Sequence, residues 1–104
     1  MKILRPGHRY ELAPFENKDG PGQVLQFIEK EPDPHGSEAL VTVHDGTTNE
    51  EVLKMLIDRC QSLYDKFPSD ETASTISHLK SALYAQQSRT YDRQQRNVGG
   101  KYLK

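Results

Sequence analysis

The sequence predicts an α+β fold, in which a small antiparallel sheet of three to four strands packs on a long C-terminal helical hairpin. Two observations carry this prediction. Residues 8–45 hold short segments of alternating apolar and polar residues between Gly- and Pro-rich turns, which is typical of strands. Residues 47–97 place apolar residues three and four positions apart, which is typical of amphipathic helices. At 104 residues the chain is expected to form a single domain, with residues 98–104 as a tail.

The predicted sheet is a meander that follows an N-terminal arm, residues 1–7. Its strands are predicted at residues 9–16, 23–29 and 39–44. Pro14 cannot donate a hydrogen bond to a neighbouring strand, so the first strand is expected at an edge. The charged residues Glu29, Lys30 and Glu31 are expected to be a solvated strand end.

The first helix is predicted over residues 49–66. Thr47 or Thr48 is expected to begin it, because each has a Glu three positions later, as in a capping box. Pro68 is expected to end it, and Ser69 or Asp70 to cap the second helix. The apolar stripe of the first helix consists of Val52, Leu53, Leu56, Ile57, Cys60, Leu63, Tyr64 and Phe67.

The second helix is expected to be longer than the first. Ile76, Leu79 and Leu83 should face the first helix, but the apolar pattern stops at Ala85 while no Gly or Pro follows until Gly99. The helix should therefore extend past its partner by roughly eight residues, or ~12 Å. Such a polar extension is either solvated or covered by the sheet, by a second copy of the chain or by a ligand.

Three arginines lie on this extension. At 100° per residue, Arg89, Arg93 and Arg96 fall within about 60° of one another, and Ala82 and Ala85 continue their face. Guanidinium groups bind phosphate through two parallel hydrogen bonds. The pattern is therefore consistent with a cradle for a pyrophosphate or cyclic phosphate, and equally with a solvated helix end whose cations complement the helix dipole.

Composition and charge distribution point in the same direction. Hydrophobic residues make up 34% of the chain and Trp is absent, so a monomer can bury only a modest core, and small chains of this kind often oligomerise. The net charge is −1, but the segment from Arg89 to Lys104 carries +4 and the rest −5. This asymmetry predicts an anionic partner near the C-terminal end.

Several classes of protein are not expected. The single Cys60 allows no internal disulfide and suits a reducing cytoplasm, and neither a signal peptide nor a transmembrane segment is predicted. The four histidines fall in separate elements without metal-ligand spacing, so neither a metal nor another cofactor is expected. No catalytic motif occurs, and the protein is not expected to be an enzyme.

The helical half of the chain carries a resemblance to a known family. Its motifs are DGTTNEEVLKMLIDR, YDKFPSDE, LKSAL, SRTYDR and VGGKYL, preceded by YELAPFEN and GQVLQFIEKEP. The pattern, over residues 10–103, resembles phage immune-evasion sponges: the Thoeris anti-defence proteins and the related anti-CBASS sponges. The resemblance implies a cytoplasmic, non-enzymatic protein that sequesters cyclic nucleotide signals. These are cyclic ADP-ribose isomers in the Thoeris branch and cyclic di- or trinucleotides elsewhere. It also implies dimers or hexamers, with sites between protomers.

The resemblance assigns roles to individual residues. Arg89 and Arg93 match paired arginines that contact phosphate and base, with Arg96 adding positive charge. Ser62 stands where the family commonly has a stacking aromatic residue, with Tyr64 two positions on. Thr72 stands where it commonly has an amide. Both departures remove contacts to the usual ligand, so Tyr64 and Tyr91 rebuild the pocket, the ligand differs, or the cyclic ADP-ribose site is lost. The alternative from another class is a small interaction protein whose basic C-terminal helix docks an acidic host protein or nucleic acid.

Overall fold

The fold class is α+β, as predicted. The computed structural model describes residues 1–96, so Asn97 and the predicted tail at 98–104 lie outside the described residues. Residues 1–48 form one compact unit and residues 49–96 another. The strands are β1 (Lys2–Arg5), β2 (Arg9–Leu12), β3 (Gln23–Gln26), β4 (Glu29–Pro32) and β5 (Leu40–His44), and the helices are α1 (Asn49–Lys66) and α2 (Asp70–Gln95).

The predicted N-terminal arm is wrong, because most of it is strand β1. This strand pairs antiparallel with β2, which pairs antiparallel with β3. The reversal between β1 and β2 is a four-residue turn, in which the His8 N–H donates to the Arg5 carbonyl over 3.0 Å. Pro6 suits the second turn position, and Gly7 has a φ of +78°, which a residue without a Cβ adopts at little cost.

The single predicted sheet is also wrong, since the described residues form a three-stranded sheet and a two-stranded sheet. The predicted strand over 23–29 is interrupted at Phe27, where the backbone of Thr47 pairs with it. The Thr47 N–H donates to the Gln26 carbonyl and the Ile28 N–H donates to the Thr47 carbonyl, each over 2.9 Å. The chain then continues as β4, which pairs antiparallel with β5, so Glu29, Lys30 and Glu31 belong to a strand rather than a solvated end.

Strand β2 is shorter than predicted, and the prediction that it lies at an edge is wrong, because it is the middle strand of its sheet. It ends at Leu12 instead of continuing to residue 16. Pro14 has no N–H to donate and restricts Ala13 before it, which accounts for the early end. The ring of Tyr10 on β2 meets the ring of Phe27 edge to face, with centroids 6.0 Å apart.

One ion pair connects the two sheets. The Arg5 guanidinium, at the end of β1, donates from Nε and Nη2 to the two carboxylate oxygens of Glu29 on β4, and both distances are 2.6 Å. Glu29 is only 5% exposed, whereas Arg5 is half exposed. These hydrogen bonds hold the pKa of Glu29 below its ordinary value, even though burial acts in the opposite direction.

The helical hairpin follows the prediction closely. Helix α1 has the predicted bounds, and Thr48 stands immediately before it. Ser69 is the cap of α2, because its Oγ accepts a hydrogen bond from the Thr72 N–H over 3.1 Å. Ile76 on α2, 8% exposed, is the one buried apolar residue among residues 1–96. In the same range, no helix is long and apolar enough to cross a membrane.

The pair between Arg5 and Glu29 generates a pH-dependent prediction. Because the pKa of Glu29 is lowered in the folded state, its contribution is present above the pKa of an unfolded Glu and is lost as pH falls through the folded pKa. We expect Glu29→Gln to lower the melting temperature by several degrees at pH 7, with a gap to wild type that narrows as pH is lowered below about 4. Thermal melts followed by circular dichroism measure this.

The matched control is Glu38→Gln, which alters an exposed loop carboxylate in the same unit. It should melt with wild type at every pH. Equal melting temperatures for Glu29→Gln and wild type at pH 7 would show that the ion pair adds nothing to stability.

Candidate functional site

Two hydrogen bonds join the start of α1 to the last third of α2. Asn49 Nδ2 donates to Gln86 Oε1 over 3.4 Å, and Thr90 Oγ1 donates to Glu50 Oε1 over 2.5 Å. The helices are therefore antiparallel. We call the end of the hairpin where these two hydrogen bonds lie the open end. Contact with α1 continues through polar groups as far as Thr90, so α2 extends past it by about five residues, or ~8 Å, rather than the predicted eight.

The three arginines have different surroundings. Arg89 is exposed, and its side chain makes no hydrogen bond or ion pair with any other residue in 1–96. Arg93 is half buried, on the flank of α2 that turns towards α1. Arg96 is the C-cap, one residue beyond α2, and its Nε lies 3.0 Å from Asp92 Oδ2. The three do not form one uniform cradle: Arg89 alone presents an uncommitted guanidinium.

Tyr91 lies on another side of α2. At 100° per residue it projects about 160° from Arg89, and Tyr84, one heptad earlier, projects in nearly the same direction. Both rings are exposed. Within one protomer, Tyr91 therefore cannot stack on a base that Arg89 holds.

The remaining predicted site residues lie near the loop that joins the helices, which we call the closed end. Tyr64 is half buried on the side of α1 that faces α2, and Ser62 is exposed. The Thr72 hydroxyl accepts a hydrogen bond from Ser69 Oγ over 2.9 Å, so it belongs to the helix cap. From Thr72 to Arg89 is seventeen residues of continuous helix, or ~26 Å along the axis. One protomer does not bring these residues to the arginines.

Helix α1 has a second apolar surface beside the one that faces α2. The sequence pattern did not distinguish the two surfaces. Five of the eight apolar residues are half buried (Val52, Leu53, Ile57, Cys60 and Tyr64), but Leu56 is 37%, Leu63 38% and Phe67 75% exposed. We call Leu56, Leu63 and Phe67 the outer stripe, and they lie within about 40° of one another on the helix. The eight apolar residues of the predicted stripe are therefore not equally buried, because eight positions span a wider arc than one partner helix covers.

The outer stripe and Arg89 lie on the same side of the hairpin. Measured against the direction in which residue angles increase, the outer stripe lies about 90° around α1 from the face of α1 that packs on α2. Arg89 lies about as far around α2, in the same sense, from the face of α2 that packs on α1. Because the two right-handed helices are antiparallel, equal turns in the same sense lead to the same side. Ala82 and Ala85 also lie on this side, so it combines apolar side chains, small residues and a free cation.

A cluster in the strands was not predicted from the sequence. Arg5, Arg9, Gln26 and His44 line a cavity of about 530 Å³. Pro6 and Gly7 are a turn signal that would have indicated a hairpin here, but the register that pairs Arg5 with Arg9 includes an irregularity between Ile3 and Arg5. Within residues 1–96, no group of three His, Cys, Asp or Glu side chains is arranged to hold a metal ion.

Comparison with known proteins assigns no function to these residues. No protein-family model matches the sequence, and no curated protein is significantly similar to it. The resemblance to immune-evasion sponges therefore stays a prediction, carried by the quoted motifs.

The Ser69 cap generates a stability prediction. Replacing Ser69 by Ala leaves the Thr72 N–H without its acceptor, so we expect Ser69→Ala to lower the free energy of unfolding of the hairpin by ~1 kcal/mol. Urea unfolding followed by the helical circular dichroism signal measures this.

The control is Ser88→Ala, in an exposed part of α2, which should be neutral or slightly stabilising because Ala has the higher helix propensity. Unchanged stability in Ser69→Ala would show that the cap contributes nothing to the stability of the hairpin.

Proposed function

We propose that this protein binds a cyclic nucleotide signal of a bacterial defence system and sequesters it without cleaving it, in the host cytoplasm. The observation that carries the proposal is the exposed, uncommitted guanidinium of Arg89, one helical turn from half-buried Arg93. These two residues match the paired arginines of the sponge family that the sequence resembles. Cyclic ADP-ribose isomers are the first candidate ligands, and cyclic di- and trinucleotides the second.

The arginines have separate roles in this proposal. Arg89 supplies the planar fork that matches two phosphate oxygens, and it needs to break no existing ion pair to do so. Arg93 adds a second cation from a partly desolvated position, where charge interactions are stronger than in water. Arg96 contributes only to the local field, because its Nε lies 3.0 Å from Asp92 Oδ2.

The proposed site is completed by a second copy of the chain. The outer stripe leaves apolar side chains in water beside the alanines and Arg89, and its burial against the same surface of a second hairpin would be favourable. If the two hairpins associate antiparallel, the closed end of each lies beside the open end of the other. Ser62, Tyr64 and Thr72 of one copy then approach Arg89 and Arg93 of the other. Within one chain, the helix separates these two groups by ~26 Å.

Capture by such an assembly is stoichiometric and needs no chemical step. The residues of the site are carried by helices, so little backbone has to become ordered when the ligand binds, and this favours affinity. The departures at Ser62 and Thr72 act on base recognition rather than on phosphate binding, and they set which cyclic nucleotide fits.

Arg89 provides the test of ligand binding. Removing a hydrogen-bonded charge partner of a phosphate costs ~1.5–3 kcal/mol, so Arg89→Ala should weaken binding about 10- to 100-fold. Isothermal titration against cyclic ADP-ribose isomers and cyclic di- and trinucleotides measures the affinity. Heat denaturation and chromatography of the released ligand then show whether it is intact.

The matched control is Lys80→Ala, which removes an exposed cation from the opposite side of the same helix. It should bind like wild type. Equal losses in the two variants, together with a steep dependence on salt, would favour the alternative of a basic helix that docks an acidic protein or nucleic acid. A chemically altered ligand would make the protein an enzyme.

The outer stripe provides the test of assembly. A carboxylate at its centre would be desolvated in the proposed interface, so we expect Leu63→Glu to convert the oligomer to a monomer while the helical signal is retained. Light scattering coupled to size exclusion measures the mass. Lys54→Glu, on the other side of α1, is the control and should leave the mass unchanged. A wild-type monomer, or a Leu63→Glu oligomer of wild-type mass, would remove this surface from the interface.

A further inference from the structure

The three-stranded sheet places two arginines directly opposite each other. The register pairs Arg5 with Arg9 across β1 and β2, and Arg9 with Gln26 across β2 and β3. Residues opposite one another across antiparallel strands project from the same face, and like charges in such a pair are destabilising. An anionic group nearby would therefore relieve the repulsion between the two positive charges.

Only one of the two charges is offset within the described chain. Glu29 uses both of its carboxylate oxygens to accept hydrogen bonds from Arg5. Arg9 is exposed, and among residues 1–96 its guanidinium has no hydrogen bond or ion pair. The second charge faces the cavity without a protein anion.

The cavity next to Arg9 has the size and chemistry to receive an anion. Its volume is about 530 Å³, and it is lined by Leu4, Arg5, Pro6, Arg9, Gln26 and His44. No carboxylate is among these residues. The Gln26 side-chain amide donates one hydrogen bond to the Phe27 carbonyl over 2.7 Å, and Arg5 donates two to Glu29, so Arg9 is the one guanidinium of this wall without a partner within residues 1–96.

We propose that this cavity binds a phosphate group, with Arg9 as its principal ligand. Arg9 presents a complete guanidinium fork, and Arg5 keeps three of its five N–H donors after its two bonds to Glu29. Glu29 fixes the Arg5 guanidinium in place, and the His44 ring supplies a further donor. The site lies entirely within residues 1–48, so it uses none of the hairpin arginines and needs no second copy of the chain.

The binding of inorganic pyrophosphate to the full chain tests the proposal. We expect one pyrophosphate per chain in isothermal titration, with amide shifts in an NMR titration that concentrate at Arg5, Arg9 and His44. Arg9→Gln should weaken binding about 10-fold or more, because it removes both charge and fork, and Arg9→Lys should lie between Arg9→Gln and wild type.

Two control variants separate this site from other cations. Lys18→Gln, in an exposed loop of the same unit, and Lys80→Gln, an exposed cation of the hairpin, should both bind pyrophosphate like wild type. A parallel titration with ADP distinguishes the source of the phosphate: tighter binding of ADP identifies a nucleotide, and equal binding identifies the phosphate group alone.

Three results would overturn the proposal. The first is the absence of pyrophosphate binding to wild type at about 10 mM. The second is an unchanged affinity in Arg9→Gln. The third is a loss in Arg89→Gln that Arg9→Gln does not share, which would place the anion on the hairpin instead. The NMR shifts locate the site in the wild-type protein, so the test holds even if a variant folds poorly.

Discussion

Scarcity of buried apolar surface is the constraint on which the rest of this structure depends. Among residues 1–96 only Ile76 is a buried apolar side chain, while fourteen large apolar side chains are exposed. Polar interactions therefore act where a larger core would act in other proteins: the Arg5–Glu29 pair connects the sheets, and Thr90 and Glu50 hold the open end of the hairpin. An apolar side chain that stays in water favours any assembly that covers it.

The sequence predicted the helices better than the strands, for a physical reason. Helix signals are local: a Ser cap, a Pro stop and a 3.6-residue period lie within the segment itself, and they placed α1 and the start of α2 correctly. Strand pairing depends on distant partners. No pattern within residues 23–29 indicates that the Thr47 backbone pairs with Gln26 and Ile28. That pairing divides one predicted strand into two.

The candidate site shows the same division between local and distant information. Helical periodicity placed Arg89, Arg93 and the two alanines on one face, but it could not show that Arg96 bonds Asp92 or that Thr72 serves the cap. The pairing of Arg5 with Arg9 could not be predicted because it depends on the register between two strands. Glu29, which accepts hydrogen bonds from Arg5, is twenty-four residues away in the chain. A charge is informative only once its neighbours are known.

The length of the hairpin connects its architecture to the proposed function. A helix of twenty-six residues separates its two ends by more than the span of a nucleotide ligand, so residues at both ends cannot meet in one pocket of one chain. The proposed second, antiparallel copy would remove this difficulty, and the same association would cover the outer stripe that α2 leaves exposed. The apolar surface that weakens the isolated chain would then hold the two halves of the binding site together, and a substitution that breaks the assembly should remove ligand binding without touching an arginine.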